Sequence, residues 1–426
     1  MNPLLDRRNF VKRTTLYSFG LAAAPLFTRA QVAKSPGEKL VVGVMGLGRG
    51  FGHVRALQET ANVEIAYLCD IDETRTGRAQ KYAFATADKP PKSVKDVRRV
   101  LDDKEVDALF IAAPNHWHAP ATILACSAGK HVYVEKPASH NAREGELIVA
   151  AARKHNRVVQ MGNQRRSWPG IIEAIDKLRA GAIGEVRTAR TWYANARGSI
   201  GQGKQVPVPA NIDYELWQGP APERPYLDNV VHYNWHWRWN WGGGEIGNNG
   251  PHAFDLARWG LGVEYPTRIT CNGGRYHFQD DQETPDTSLA TLDFGNKTLI
   301  WDGSSCHPRR NENLPFVAWY GDGGTLANYG NGYKVFDAKG KQTGEGTGTG
   351  GEKGHIENFL RAIRGEAKPN SEIAVGQTST LLCHLSNIAY RTGHTIQFDP
   401  KGRKIIGDAE AEKLWGREYR KGWEPG

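Results

Sequence analysis

The first residues whose types and spacing suit a shared chemistry lie between Leu40 and Asp70. An apolar run, Leu40-Val41-Val42-Gly43-Val44-Met45, leads into Gly46-Leu47-Gly48-Arg49-Gly50-Phe51-Gly52. A helical pattern follows through His53-Val54-Arg55-Ala56-Leu57, and a second apolar run, Val63 to Cys69, ends at Asp70. Strand, glycine turn, helix, strand and acid is the order that a dinucleotide-binding unit requires. Gly46 permits the tight turn, and Gly48 lets backbone approach a pyrophosphate with no Cβ in the way. Free N–H groups at the start of the following helix face the phosphates. Asp70, about 20 residues beyond the glycines, is placed to accept from the adenosine ribose. It would repel a 2′-phosphate, which favours NAD over NADP, although Arg75 lies close enough to keep NADP as the lesser alternative. The third fingerprint position holds Phe51 rather than Gly or Ala, with Gly50 and Gly52 beside it.

The elements that must position these residues alternate strand and helix. Thr76–Ala87, Ser93–Leu101, Ala119–Ala128 and Glu144–His155 read as helices. Val106–Ala113, Lys130–Val134 and Val158–Met161 read as buried parallel strands. Two of these strands end in polar groups, Pro114-Asn115-His116-Trp117-His118 and Glu135-Lys136-Pro137. Ligands of open α/β sheets bind outside such strand ends, which puts Asn115, His118, Glu135 and Lys136 there.

The Gly46-x-Gly48 turn, Asp70, the Pro114–His118 segment and above all Glu135-Lys136-Pro137 together resemble the glucose-fructose oxidoreductase/inositol dehydrogenase/rhizopine-catabolism (Gfo/Idh/MocA) family. The resemblance covers nearly the whole chain after the first 30 residues. It implies that Lys136 projects toward a nicotinamide and a substrate hydroxyl, where an ammonium stabilises developing charge. It also implies that Asn115 lies near the nicotinamide. The cofactor set is then Gly46, Gly48, Arg49, Gly50, Phe51, Asp70, Arg75, Pro114, Asn115, His118, Glu135 and Lys136. His118 reads equally as a packing residue. The Lys136–Pro137 bond is a candidate for the cis form. Gly242 to Asp255 resembles the family's second motif, a glycine run, an Asp, three residues and a His. Here His252 matches the His, and Asn248 stands where the Asp usually does. His252 is the expected general base. Asn248 is expected to orient its ring without supplying charge. Lys136, His252 and Asn248 are the catalytic candidates.

In the second half the alternation changes. Ile171–Ala180 reads as a helix, Gly184–Tyr193 as a strand of an open sheet, and Asn195–Pro209 as a loop. Thr267–Gly273, Ser288–Phe294, Thr298–Asp302 and Val317–Tyr320 read as further strands. A helix runs to Leu261, Gly340–Gly354 reads as a flexible link, and His355–Arg364 and Ser379–Thr392 as helices. The expected fold class is α/β: a Rossmann domain over residues 36–160, then an α+β domain over 161–426 with an open, mostly antiparallel mixed sheet. Ser379–Thr392 is expected to return to the first domain. Family likeness implies subunit contacts through the sheet, as a homodimer or homotetramer. Between Val231 and Trp241 tryptophan recurs at every second position. On an extended segment the indoles share one face and suit the C–H faces of a sugar. Buried packing is the competing reading of the same row. The expected substrate contacts are Arg165, Tyr193, His236, Trp237, Arg238 and His252.

Composition narrows the rest. The chain has 426 residues, enough for two cores, and its 13 tryptophans make stacking surfaces worth seeking. Its net charge of +9 includes Arg7, Arg8, Lys12, Arg13 and Arg29 against Asp6 near the start. The remainder is modestly basic and has no stripe suited to nucleic acid. The five cysteines are odd in number and scattered, with no spacing suited to zinc or a disulfide framework. Residues 1–30, with Asp6-Arg7-Arg8-Asn9-Phe10-Val11-Lys12, the Leu16–Phe27 run and Thr28-Arg29-Ala30, resemble a twin-arginine export signal. The expected location is periplasmic, with the export machinery as a partner and no stable membrane insertion. Free NAD is scarce outside the cytoplasm, so an exported enzyme would keep its NAD tightly bound and recycle it. The leading expectation is a sugar-directed oxidoreductase. The alternatives are a redox-neutral, NAD-dependent glycosidase and a non-catalytic, NAD-containing sugar-binding protein.

Overall fold

Five short apolar runs and one polar edge strand make the first sheet. A computed structural model describes residues 38–425, so the export-signal residues lie outside the described residues. The strands are β1 (Leu40–Met45), β2 (Val63–Cys69), β3 (Lys92–Val94), β4 (Ala108–Ile111), β5 (His131–Val134) and β6 (Val159–Met161). They lie in the order β3-β2-β1-β4-β5-β6, with every neighbouring pair parallel. β4 and β5 are buried at every position, as strands covered on both faces must be. Helices α1 (Gly50–Gln58), α2 (Glu73–Ala83), α3 (Arg98–Leu101), α4 (Asn115–Ser127) and α5 (Ala142–Lys154) make the crossovers. Strand order reverses between β1 and β4, and their carboxyl ends open a crevice there.

Beyond α6 (Pro169–Arg179) the chain builds a ten-stranded mixed sheet. Its first strand is β7 (Val186–Ala194). Helices α7 (Tyr214–Gln218), α8 (Gly244–Asn248) and α9 (Gly250–Leu261) follow. Then come β8 (Arg268–Gly274), β9 (Thr287–Asp293), β10 (Thr298–Ser304), β11 (Val317–Gly321), β12 (Gly324–Tyr329), β13 (Gly332–Asp337) and β14 (Gln342–Gly346). Helices α10 (Lys353–Ile363) and α11 (Ile373–Thr392) precede β15 (Ile396–Asp399) and β16 (Lys404–Ile405). The order is β14-β13-β12-β11-β7-β10-β9-β8-β15-β16. β7 and β10 are parallel, and the other neighbours are antiparallel. Helices α9 and α11 cover one face, burying Trp301, Trp319 and Phe254. The fold class read from the sequence is therefore the fold observed.

Several element boundaries differ from expectation. Ser93–Leu101 is not one helix. Lys92–Val94 pairs with Tyr67–Cys69 as the edge strand, and the helix is confined to Arg98–Leu101. The helix expected from Ala119 begins at Asn115, so Pro120 lies inside it. Proline has no N–H to give the carbonyl four residues back. That carbonyl belongs to His116, and Arg417 Nη2 donates to it instead at 2.9 Å. The Gly340–Gly354 link contains the edge strand β14.

Both late helices return to the first sheet. Helix α11 lies against α5 and β6, so closely that a Cβ at Gly145 would fall on the Gln377 carboxamide. Helix α10 goes further and completes a core. Ile356, Phe359, Leu360 and Ile363 pack with Leu40, Val42, Val44, Phe110 and Tyr133. The Phe359 ring stands edge-on to Phe110 at 5.5 Å.

Candidate active site

The glycine turn begins the site. Gly46 has φ of +84°, and a Cβ there would lie 2.5 Å from the Ala112 carbonyl oxygen, so this position requires glycine. Gly50 supplies the close helix–sheet approach, because a Cβ there would meet Val44 at 3.1 Å and Ala112 at 3.3 Å. This explains how the third fingerprint position tolerates a large residue. Phe51 is not among the residues lining the crevice. Its ring takes the Arg55 and Arg78 guanidinium groups at 4.9 and 5.9 Å, which corrects its expected cofactor contact. Asp70 Oδ2 accepts from Leu47 N at 2.7 Å, and Oδ1 accepts from Asp72 N at 3.0 Å. Burial raises the Asp70 pKa, with those amides opposing the rise. Arg75 lies over Gly48.

A cavity of about 490 Å³ runs from this turn to the ends of β4 and β5. Gly46, Gly48, Arg49, Asp70 and Arg75 line one part; Pro114, Asn115, His118, Glu135, Lys136 and Asn248 line the other. His118 faces the cavity, yet its ring is fastened by backbone. Nδ1 lies 2.5 Å from the Pro137 oxygen and Nε2 lies 2.7 Å from the Ala113 oxygen. These contacts favour the packing reading. The Lys136–Pro137 bond is cis.

In the cavity wall, Glu135 is buried beside Arg49 at 3.3 Å and His53 at 3.2 Å. Burial disfavours its charge, but His53 and Arg49 outweigh that and lower its pKa. Glu352, arriving just before α10, also pairs with Arg49 and lies 3.0 Å from His53. Nothing in the sequence pattern marked His53 or Glu352, because they meet only when the chain returns from the second sheet.

Lys136 Nζ donates to the Asn248 main-chain oxygen at 2.7 Å and to its Oδ1 at 2.9 Å. Burial lowers the Lys136 pKa, while Glu135 and Glu245 oppose the fall. Asn248 therefore holds Lys136, not the His252 ring as expected. The helix is interrupted at Asn249, which puts Asn248 at the end of α8 and His252 in the first turn of α9. His252 Nδ1 is buried without a partner among the described residues. Burial, then Lys136, then Arg165 push the His252 pKa well below its usual value, so the ring is neutral.

The tryptophan row is not extended. Asn234–Trp237 forms a 3₁₀ turn, which breaks the alternation of faces. Trp235 and Trp241 pack with Tyr214, Trp217, Tyr226 and Val230 as the private core of a cap between β7 and α8. The cap is joined to the cofactor side. Asp213 N donates to Ile71 O at 3.0 Å, Asn211 Nδ2 donates to Asp72 Oδ1 at 2.8 Å, and His232 Nε2 lies 2.9 Å from Asp72 Oδ2. His116 Nε2 donates to Trp217 O at 2.7 Å. Trp217, His232, Tyr233, Trp235 and His236 roof the cavity.

Of the expected substrate contacts, His236 reaches the cavity, stacked on Trp235 at 3.6 Å. Its pKa is pushed down to about 3 by burial. Arg238 does not line the cavity. It is tied to Asp281 at 2.8 Å and to Asn229 at 3.1 Å. Trp237 is buried with the Arg197 guanidinium over its ring at 4.7 Å. Both are corrected to structural roles within the cap. Tyr193 accepts from Arg197 Nη2 at 3.0 Å, and Arg197 Nε donates to Glu245 at 2.8 Å. Arg165 stacks over Phe316 at 4.1 Å and Trp168 at 4.8 Å, and donates to Gly330 O at 3.0 Å. Arg197 and Glu245 were missed, having no motif around them.

Residues 40–163 match a family model described as an oxidoreductase family NAD-binding Rossmann fold, Gfo/Idh/MocA. Residues 183–425 match that family's C-terminal alpha/beta domain. The chain is 33% identical over 164 residues to the inositol 2-dehydrogenase of Salmonella typhimurium, covering 37% of this chain and 46% of that one. It is 28% identical over 211 residues to a glycosyl hydrolase family 109 protein of Shewanella pealeana, covering 44% and 46%. The chain thus spans about half the length of these curated relatives. The crystal structure of an aldose-aldose oxidoreductase from Caulobacter crescentus shares the fold, with a TM-score of 0.65 and 20% identity over 85% of this chain and 100% of that one.

Proposed function

The chain belongs to the Gfo/Idh/MocA oxidoreductase family, and on that premise we propose that it is an NAD-dependent oxidoreductase acting at a hydroxyl-bearing carbon of a sugar or sugar derivative. The observation that carries this reading is one continuous cavity with the glycine turn at one end and Lys136, held by Asn248, at the other. The residues present fit a dinucleotide. Gly46 keeps the turn open where a Cβ would strike the Ala112 carbonyl, and Asp70 and Arg75 stand beyond it. Asp70 favours NAD over NADP for the reason of charge already given.

When bound there, NAD supplies the acceptor for the hydride leaving the substrate carbon. The neutral His252 ring takes the hydroxyl proton. Two of the three Lys136 N–H donors are occupied by Asn248. The third is left for the substrate oxygen, where the ammonium stabilises negative charge as the proton leaves. The product is a carbonyl compound.

The proposal includes tight retention and recycling of NAD, export by the twin-arginine route to the periplasm, and a homodimer or homotetramer. Retention is supported by the cap, which is fastened to Ile71, Asp72 and His116 above the cavity. Export is supported by the arginine pair and its apolar continuation in the sequence. The test is to purify the protein from its native compartment, denature it and quantify the nicotinamide released. Near one equivalent is expected. A protein that arrives empty and binds NAD weakly overturns retention and recycling. Sugar turnover that survives in both Lys136→Met and His252→Asn overturns the chemistry.

One observation favours a second reading, a redox-neutral glycosidase that oxidises, eliminates, hydrates and reduces. It is the similarity to the glycosyl hydrolase family 109 protein. Deuterium uptake beside the oxidised carbon together with bond cleavage selects that reading. A keto-sugar released without cleavage selects the oxidoreductase.

A further inference from the structure

Helix α4 has a gap in its own bonding at the edge of the cavity. Its first turn carries Asn115, Trp117 and His118, and all three line the cavity. The carbonyl within that turn belongs to His116, and Pro120 has no N–H to give it. In an unbroken helix the bond to the residue four positions on fixes the first turn upon the second. Here that acceptor is met by a side chain 301 residues later, Arg417 Nη2 at 2.9 Å.

A buried acid aims the guanidinium. Glu144, fully buried on α5, accepts from Arg417 Nη2 at 2.8 Å, from the Tyr419 hydroxyl at 2.9 Å and from His140 N at 2.9 Å. Arg417 Nε and Nη1 are buried without a partner among the described residues, so Nη2 makes both contacts, one hydrogen to each acceptor. Stranding a buried carboxylate is costly, and that cost keeps the guanidinium where it stands. The segment around it is fastened on both sides. Arg143 N donates to Trp415 O at 2.8 Å, and Arg420 N donates to Pro220 O of the cap at 3.2 Å. Trp423 stands edge-on to Trp117 at 5.3 Å.

We propose that Arg417 is a positioning residue for the cofactor: it replaces the hydrogen bond that Pro120 removes and so sets the cavity wall made by Asn115, Trp117 and His118. This rests on the redox reading above, which puts a nicotinamide against that wall. Other bonds at the turn hold side chains. The His118 ring is held by the Ala113 and Pro137 carbonyls, and the His116 and Trp117 rings by carbonyls of the cap. Arg417 instead reaches the peptide between His116 and Trp117. The placement of the wall is thereby taken from the helix and given to a residue remote in sequence.

The test uses NADH as the probe. Its exit from the loaded protein is followed by stopped-flow displacement, together with the emission of the bound nicotinamide. Glu144→Gln serves as the reference, because it removes the carboxylate that Arg417→Met would strand. Adding Arg417→Met to it is expected to quicken NADH exit at least tenfold, the equivalent of one charge-assisted hydrogen bond, and to change the emission. Adding Pro120→Ala as well supplies the missing N–H from within the helix and should recover most of both. Arg417→Lys, which keeps a charged donor, should fall between. Melting curves check that each variant folds, and where Arg417→Met does not, Arg417→Lys with and without Pro120→Ala carries the same comparison. A lowered melting temperature with an unchanged exit rate overturns the proposal and leaves the redox reading intact. Faster exit that Pro120→Ala does not reverse also overturns it. A protein that binds no NADH in any variant sinks the redox reading and this role with it.

Discussion

Lys136 is fastened to Asn248 through two oxygens, one of the main chain at 2.7 Å and one of the side chain at 2.9 Å. The pair joins the end of the fifth strand to the end of a helix more than a hundred residues later. Asn248→Ala removes one of the two acceptors. A hydrogen bond to a charged group is worth roughly 1.5–3 kcal/mol, so kcat should fall by about ten- to a hundredfold. A double-mutant cycle checks the partner. Asn248→Ala should be non-additive with Lys136→Met and close to additive with His252→Gln. The opposite pattern would return Asn248 to the histidine.

The pH profile follows from the directions of two shifts. His252 is depressed by burial, then by Lys136 and Arg165, so it is already neutral below pH 6.5. Activity should therefore show no acid limb between pH 6 and 8. Lys136 is depressed from its ordinary 10.5 by burial. Activity that needs the ammonium should then be lost as pH rises through a value below 10.5. Lys136→Arg should move that limb upward. An acid limb near 6.5 that disappears in His252→Asn would contradict the neutral ring.

The contact of His232 with Asp72 ties the cap to the turn after β2. Burial, then Arg75, lowers the His232 pKa, with Asp72 opposing, so the neutral ring donates from Nε2. His232→Ala should quicken nicotinamide loss by about tenfold, the equivalent of roughly one charge-assisted hydrogen bond. Stopped-flow displacement of bound NADH measures it. An unchanged rate would mean that the cap holds without this contact.

Much of this is legible in the sequence, and the limits have physical causes. The glycine turn, Asp70 and Lys136 could be read because local chain order places them. The ends of parallel strands necessarily lie on one edge. The cap could not be read in the same way. Alternate tryptophans imply a shared face only on an extended chain, and Asn234–Trp237 turns instead. Tertiary packing around Trp217 and Tyr214 overrode the period. Arg238 was misplaced for a related reason, since its partner Asp281 lies in a loop remote in sequence. Glu352 and His53 meet across some three hundred residues, and no local spacing carries that information.

Arg166 and Asp255 form a buried bidentate pair, exposed 8% and 1%. Arg166→Met leaves Asp255 charged and short of a partner, at a cost of about 3–5 kcal/mol. Chemical denaturation measures the loss. Adding Asp255→Leu should restore most of the stability, because the stranded charge goes with it. Activity should stay low in the double variant, since the pair also fastens α9, the helix that carries His252, to the turn after β6.

Helix α10 has a consequence for recombination. Its Ile356, Phe359, Leu360 and Ile363 complete the core beneath β1, β4 and β5, although it follows the whole run from β7 to β14. A gene fragment ending after β6 would encode every strand of the first sheet and still leave one flank bare. Chimeras that exchange the substrate-binding half therefore need two crossovers, one on each side of the sequence from α6 to β14. The half returned to the recipient must bring Glu352 with it, or Arg49 and His53 inherit a stranger.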